Sequence, residues 1–372
     1  MSEVPPANFQ PTQSPPPEPS RPRRSGRRVL RWLGLGCLGM LALVLLCGVL
    51  AAGGYRLEVS RAARDARVVA EQMAEAPRSP GDDCAPARPA ALGESERILN
   101  SAGLQRRYLL YVPASYDPAR QSPLVITLHG SGASPEQQRD LSQWNAFADA
   151  HGFLVAYPAA ADETNRTFVS FPVSDLAVPA PPNLDNLLDV RFLGDLVNGL
   201  QSELCIDATR VYVTGFSAGG AMAIFAGCRL PGLFAAAGTV AAPYWANFDD
   251  PAWCSPGRSL PTIAFHGTAD RVIPYDGGGP QFGPEYVPYE TWTARWAARN
   301  GCASPAESFI VSEVVDGVRF TGCDGGADVV RYRIEGGGHT WPGGAALLLA
   351  ETTREIAATA AMWAFFNAEA ER

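Results

Sequence analysis

Lysine is absent from this 372-residue chain, whose 30 basic residues are all arginine. We read this as a bias of base composition and attach no binding role to it. Histidine is scarce. The four copies, His129, His151, His266 and His339, are scattered, and none forms a pair at metal-ligand spacing, so metal catalysis is not expected. Internal repeats are missing, and no cofactor motif survives inspection. Gly34-Leu35-Gly36-Cys37-Leu38-Gly39 satisfies the dinucleotide fingerprint, but it sits inside an apolar run with no strand before it, so no cofactor is expected. A basic stripe is lacking as well. The net charge is -8, and six arginines against Glu3 and Glu18 make the first 31 residues +4, which leaves -12 for the rest. An acidic body cannot hold a phosphate backbone, which excludes nucleic acid as a partner.

Charge is also missing between Trp32 and Tyr55. That run is long enough to cross a hydrocarbon core of about 30 Å, and the arginines crowd its N-terminal side. The expected organisation is a Pro/Arg-rich cytoplasmic tail (1–31), a transmembrane signal anchor (32–55), a stalk (56–83) and a catalytic domain (84–372) on the outer face of a membrane. Leu57, Val59, Ala62, Ala66, Val69 and Met73 stand at near-helical spacing in the stalk. Ala51-Ala52-Gly53 resembles a signal-peptidase site, so secretion after cleavage is the alternative. Beyond the span lie Cys84, Cys205, Cys228, Cys254, Cys302 and Cys323, an even number that suits disulfides in an oxidising compartment.

From Gln105 the chain alternates short apolar strands with helical stretches. Strands are expected at 105–112, 123–128, 153–157, 210–214, 235–240, 261–266 and 329–334, and helices at 135–151, 187–204, from 218, 290–300 and 351–366. Continuous apolar strands such as Pro123-Leu124-Val125-Ile126-Thr127-Leu128 belong in a parallel sheet covered on both faces, so a doubly wound α/β fold follows. Thr167 to Pro182, rich in proline, breaks the rhythm as an insertion, either a binding loop or lid or a packed surface loop.

The strand Val211-Tyr212-Val213-Thr214 runs into Gly215-Phe216-Ser217-Ala218-Gly219 and then into an apolar stretch. A G-x-S-x-G between strand and helix is a nucleophile elbow, in which the flanking glycines let strand and helix close up around a strained serine. A serine hydroxyl needs a base, and the base needs an orienting carboxylate. His129 and His266 precede glycines at strand ends, where turn hydrogen bonds occupy them, and His151 ends a surface helix. His339, after Gly336-Gly337-Gly338 and last in chain order, is the base. Asp270 follows a strand between serine and histidine and is the preferred carboxylate, with Asp276 and Glu335 as alternatives. The N–H of Ala218 and, from the turn after His129-Gly130, the N–H of Ser131 are the expected oxyanion donors.

Together Leu128-His129-Gly130-Ser131-Gly132, Cys205-Ile206-Asp207, Gly215-Phe216-Ser217-Ala218-Gly219-Gly220, His266-Gly267-Thr268-Ala269-Asp270 and Gly336-Gly337-Gly338-His339-Thr340-Trp341-Pro342-Gly343 resemble the polyhydroxybutyrate depolymerase and feruloyl esterase family from about Arg106 to Ala368. The resemblance implies an α/β-hydrolase fold and a serine esterase with Ser217, Asp270 and His339 in the same roles, working through an acyl-enzyme. With proximity, it also favours a Cys302–Cys323 disulfide and leaves the other four cysteines unassigned. Extracellular polymer depolymerases carry a linker and a surface-binding domain, whereas this chain ends soon after its last helix. The expected substrates are therefore small or oligomeric esters of hydroxyalkanoate, feruloyl or acetyl type. An acyltransferase on the same fold and a catalytically silent binding protein are the alternatives.

Overall fold

The segment Ser122–Leu128 is buried at every residue, as only a strand covered on both faces can be. In the computed structural model, which describes residues 83–161, 166–168, 187–245, 254, 258–279, 285–303, 305–345 and 352–370, this strand lies near the middle of a ten-stranded sheet. In chain order the strands are β1 (Gly93–Ser101), β2 (Leu104–Val112), β3 (Ser122–Leu128), β4 (Leu154–Pro158), β5 (Ile206–Phe216), β6 (Ala236–Val240), β7 (Thr262–Gly267), β8 (Glu307–Ile310), β9 (Val315–Phe320) and β10 (Val329–Ile334). Their spatial order is β1-β2-β4-β3-β5-β6-β7-β10-β9-β8. The six central strands, β4 to β10 in that order, run parallel, and antiparallel pairs close both edges.

Helices cover both faces, as the alternating pattern requires. The helices are α1 (Pro135–Ser142), α2 (Trp144–His151), α3 (Leu187–Glu203), α4 (Ala218–Arg229), α5 (Tyr289–Arg299) and α6 (Ala358–Ala370). One core cluster joins Leu193 and Leu196 of α3, Ala221 to Phe225 of α4 and Trp292 and Trp296 of α5 to the sheet. The opposite cluster joins Leu141, Trp144 and Ala148 to Met362, Trp363 and Phe366 of α6. Burying a large side chain of this kind contributes roughly 2–3 kcal/mol, so the two clusters dominate the stability of the sheet.

The elements differ from expectation in several places. The helix expected over 135–151 is two helices, because Gln143 takes a left-handed conformation (φ 58°, ψ 27°) that turns the chain between them. Ser134 caps α1, accepting from the Gln137 N–H, with Pro135 in the first turn. The last helix begins at Ala358 rather than 351. Strands β1, β8 and β9 were not foreseen at all. All six cysteines expected to be exported are bridged, Cys302 to Cys323 as the resemblance implied, with Cys84 to Cys205 and Cys228 to Cys254 completing the set.

The expected tail and membrane span and all of the stalk but its last residue, and most of the 167–182 insertion, lie outside the described residues. Among the described residues no helix is long and apolar enough to cross a membrane.

Candidate active site

Strand β5 ends at Phe216 and α4 begins at Ala218, which leaves Ser217 alone at the corner. Its backbone has φ 54° and ψ −123°, a conformation that L residues avoid and that the surroundings must enforce. They do so through the glycines. A Cβ on Gly215 would strike the backbone of Gly219, and one on Gly219 would strike the carbonyls of Leu128 and His129 at the end of β3. The Ser217 N–H donates to Val240 O (2.9 Å), and its carbonyl accepts from Gly220 and Ala221, so the corner is pinned on both sides.

The other side of the site is built where β7 and β10 run parallel. Beyond these strands the two loops remain paired: Thr268 N–H donates to Ile334 O (2.9 Å), Ala269 N–H to Gly337 O (2.9 Å), and Gly336 N–H to the Thr268 hydroxyl (2.8 Å). Gly267 packs so closely on Gly337 that any side chain there would collide. This pairing brings Asp270 to His339, whose Nδ1 lies 2.8 Å from Asp270 Oδ2. The other carboxylate oxygen, Oδ1, accepts the N–H groups of Val272 (2.8 Å) and Ile273 (2.9 Å). Burial alone would raise the Asp270 carboxyl. The His339 hydrogen bond and charge, with the Ile273 amide, outweigh it and hold the group below the usual carboxylate range. Behind the histidine, fully buried Trp341 donates through Nε1 to the Thr359 hydroxyl (3.0 Å), which donates to Ser142 O (2.6 Å) and ties the loop to the core.

Ser217 and His339 open onto one cavity of about 610 Å³. The His339 ring lies 4.7 Å from that of Phe216, and among the described residues no hydrogen bond yet joins it to the serine hydroxyl. Gly130, Ser131 and Ala218 line the same cavity. Among the described residues the N–H groups of Ser131 and Ala218 have no protein acceptor, while their neighbour Gly132 donates to Arg166 O (3.1 Å). The structure thus brings all five expected site residues to one place. Asp276 and Glu335 stand apart: the carboxylate bonded to His339 is that of Asp270, and Glu335 pairs with Arg333 at the surface.

The apolar wall was not legible in advance. Leu141, Phe168, Pro243, Trp245, Val272, Ile273 and Tyr286 line the cavity, drawn from the loops after β4, β6 and β7 and from α1. Only Phe168 and Thr167 had been flagged, as the start of the insertion. The remaining histidines do as expected. His129 Nδ1 donates to Gly130 O (2.8 Å) and its Nε2 accepts from Ala160 N–H (3.3 Å), while His266 Nε2 donates to Ile273 O (2.9 Å). Among the described residues no cluster of side chains could hold a metal ion.

A strained serine between a parallel strand and a helix, beside a His–Asp pair carried by later strand-end loops, defines an α/β-hydrolase. The fold is shared with the acetyl xylan esterase from Aspergillus awamori (TM-score 0.50, 16% identity, 66% of this chain and 94% of that one). The family model "Esterase PHB depolymerase" matches residues 106–247. A protein named as an esterase, NocK of Nocardia uniformis subsp. tsuyamanensis, is 31% identical over 262 residues, which cover 65% of this chain and 72% of that one. Feruloyl esterase B of Piromyces equi is 29% identical over 239 residues, 63% of this chain but only 42% of that one, so this chain spans less than half of that larger relative. The chain belongs to the esterase PHB depolymerase family.

Proposed function

We propose that the protein hydrolyses small or oligomeric carboxylic esters through an acyl-enzyme on Ser217, with His339 as general base and acid and Asp270 as its orienting carboxylate. The reading rests above all on the 2.8 Å contact of His339 Nδ1 with Asp270 Oδ2, beside a cavity shared with the strained Ser217. With Nδ1 donating to the carboxylate, Nε2 is left free to accept a proton.

Ser217 Oγ attacks the ester carbonyl carbon while its proton passes to His339 Nε2, and the charge on the carbonyl oxygen is met by the N–H groups of Ser131 and Ala218. Collapse breaks the bond to the alcohol oxygen, which leaves with the proton from His339. Water then attacks the acyl-enzyme, giving one proton to His339, and the carboxylic acid departs as Ser217 recovers that proton. Such donors contribute about 3–4 kcal/mol each in related chemistry, because they are oriented before charge develops.

The wall of Phe168, Trp245, Val272, Ile273 and Tyr286 favours an ester with an apolar acyl or alkyl part. Hydroxyalkanoate, feruloyl and acetyl esters are the substrate classes to which the relatives' names point. The three disulfides support a catalytic domain on the extracytoplasmic side, held by a membrane anchor at 32–55 or released by cleavage after it. A panel of aryl, feruloyl, acetyl and hydroxybutyryl esters, with products identified by mass, tests the reading. Acid and alcohol in equal amounts are expected from at least one class; no turnover of any carboxylic ester would remove it.

A further inference from the structure

His266 takes no part in the reaction just described, yet it sits against the carboxylate that does. It is fully buried at the end of β7, four residues before Asp270. Its Nε2 faces two acceptors, Ile273 O at 2.9 Å and Asp270 Oδ2 at 3.5 Å, so the ring's one proton belongs on Nε2. Its Nδ1 is buried with no hydrogen-bond partner. The rings of Tyr289, Tyr275 and Tyr244 surround it at 5.0, 6.0 and 6.2 Å. None of their hydroxyls serves Nδ1: Tyr289 donates to Tyr332 O, Tyr275 to Glu290, and Tyr244 meets the Thr239 hydroxyl.

We infer that His266 is a positioning residue for Asp270, a donor that locks the 270–273 turn from its carbonyl side while that turn's amides hold the carboxylate. The inference rests on the triad reading above. The turn is closed twice. Asp270 Oδ1 takes the N–H groups of Val272 and Ile273, and His266 takes the Ile273 carbonyl, so the carboxylate can rotate toward His339 only as far as both closures allow. The same Nε2–H lies 3.5 Å from Oδ2, the oxygen that His339 contacts, and its positive end moderates the negative potential there.

Burial disfavours a charge on this ring. Burial pushes the His266 imidazole down, against the opposing effects of the Ile273 carbonyl and Asp270, and the charge of His339 works in the same direction as burial. The groups facing it are Asp270 and His339 from the loops and the three tyrosines, which burial keeps protonated. Behind Tyr275 stands the Glu290–Arg331 pair, at 3.1 Å. A second cation beside Asp270 would compete with His339 for the carboxylate, and the buried aromatic cage disfavours one.

The test compares side chains of one length. In the full-length protein, His266→Gln carries an amide donor to the position of Nε2, whereas His266→Met fills the cage without a donor and is a substitution that cores accommodate. The expected result for His266→Met is a kcat lowered on the order of 10- to 100-fold, the cost of a misaligned catalytic group, with KM within about 2-fold. Its kcat/KM profile should show the acid limb displaced from wild type, and His266→Gln should restore both kcat and the limb. If His266→Met does not fold, as judged by near-UV circular dichroism, His266→Asn, which carries its amide one bond too short, replaces it with the same expectation. Equal behaviour of the Gln variant and the Met variant (or the Asn variant that replaces it), or a wild-type kcat and profile in the latter, overturns the inference. Ser217→Ala, measured alongside, separates the two readings: activity surviving in it removes the triad and this inference with it. An inactive Ser217→Ala beside an unaltered His266→Met removes this inference alone.

Discussion

His129 shows how one buried side chain sets a pH limit on the whole protein. It donates through Nδ1 and accepts the Ala160 N–H through Nε2, so a second proton would face a donor. Burial pushes its pKa down to about 4, only partly opposed by the Gly130 carbonyl. Between that value and the free-histidine value near 6.5, the unfolded chain binds a proton that the folded chain refuses. Stability therefore falls as pH drops through this window, by on the order of 3 kcal/mol once below it. Urea unfolding between pH 7 and pH 4 should show this slope in the wild type and a shallower one in His129→Gln, which keeps an acceptor for Ala160. Equal slopes would show that His129 does not set the limit. Gly219 is the other extreme, a residue defined by what it lacks. Gly219→Ala would drive a methyl into the carbonyls of Leu128 and His129, and it is expected to abolish activity and lower the melting temperature together, as activity assays and thermal unfolding would show.

At the scale of elements, the loops after β7 and β10 matter more than any strand, because their pairing carries Asp270 to His339. Trp341 anchors the second loop through Thr359 and Ser142. Trp341→Phe removes the Nε1 donor and leaves the Thr359 hydroxyl one partner short, so a stability loss of about 1–3 kcal/mol with a reduced kcat is expected from denaturant titration and steady-state assay. A change in neither would show that the tie is not needed. The same elements explain what the sequence revealed. The parallel strands were legible because burial on both faces demands continuous apolar runs, and the elbow because its glycines are forced by backbone contact. Strand β1 was hidden: Gly93–Ser101 alternates half-buried and exposed residues, and it exists through its register with β2 rather than through an apolar pattern. Strand β9, with Gly317 inside it, was hidden for the same reason. The break at Gln143 carries no glycine or asparagine to announce a left-handed residue. Beyond Thr167 and Phe168 the cavity wall could not be read, since its residues meet only when loops from distant strands converge.

For the molecule as a whole, the three disulfides divide the work unequally. Cys84–Cys205 joins residues 121 apart and ties the entry of the domain to the start of β5, while Cys302–Cys323 spans 21 and Cys228–Cys254 spans 26. On chain entropy alone the long closure contributes about 5 kcal/mol and the short ones about 3.5 kcal/mol each. Replacing Cys84 and Cys205 together by serine should therefore lower the unfolding free energy more than replacing Cys302 and Cys323, as measured by guanidinium titration; the reverse order would show that native-state contacts outweigh loop length. Whole-molecule behaviour converges on one serine, and the most direct measurement of the account is labelling by a serine-directed phosphonate, followed by peptide mass mapping of the intact protein. One equivalent of phosphonate is expected on the peptide containing Ser217, with loss of esterase activity in step with labelling, and neither label nor activity in Ser217→Ala. A label on any other residue, or a Ser217→Ala protein that keeps its esterase activity, would contradict it.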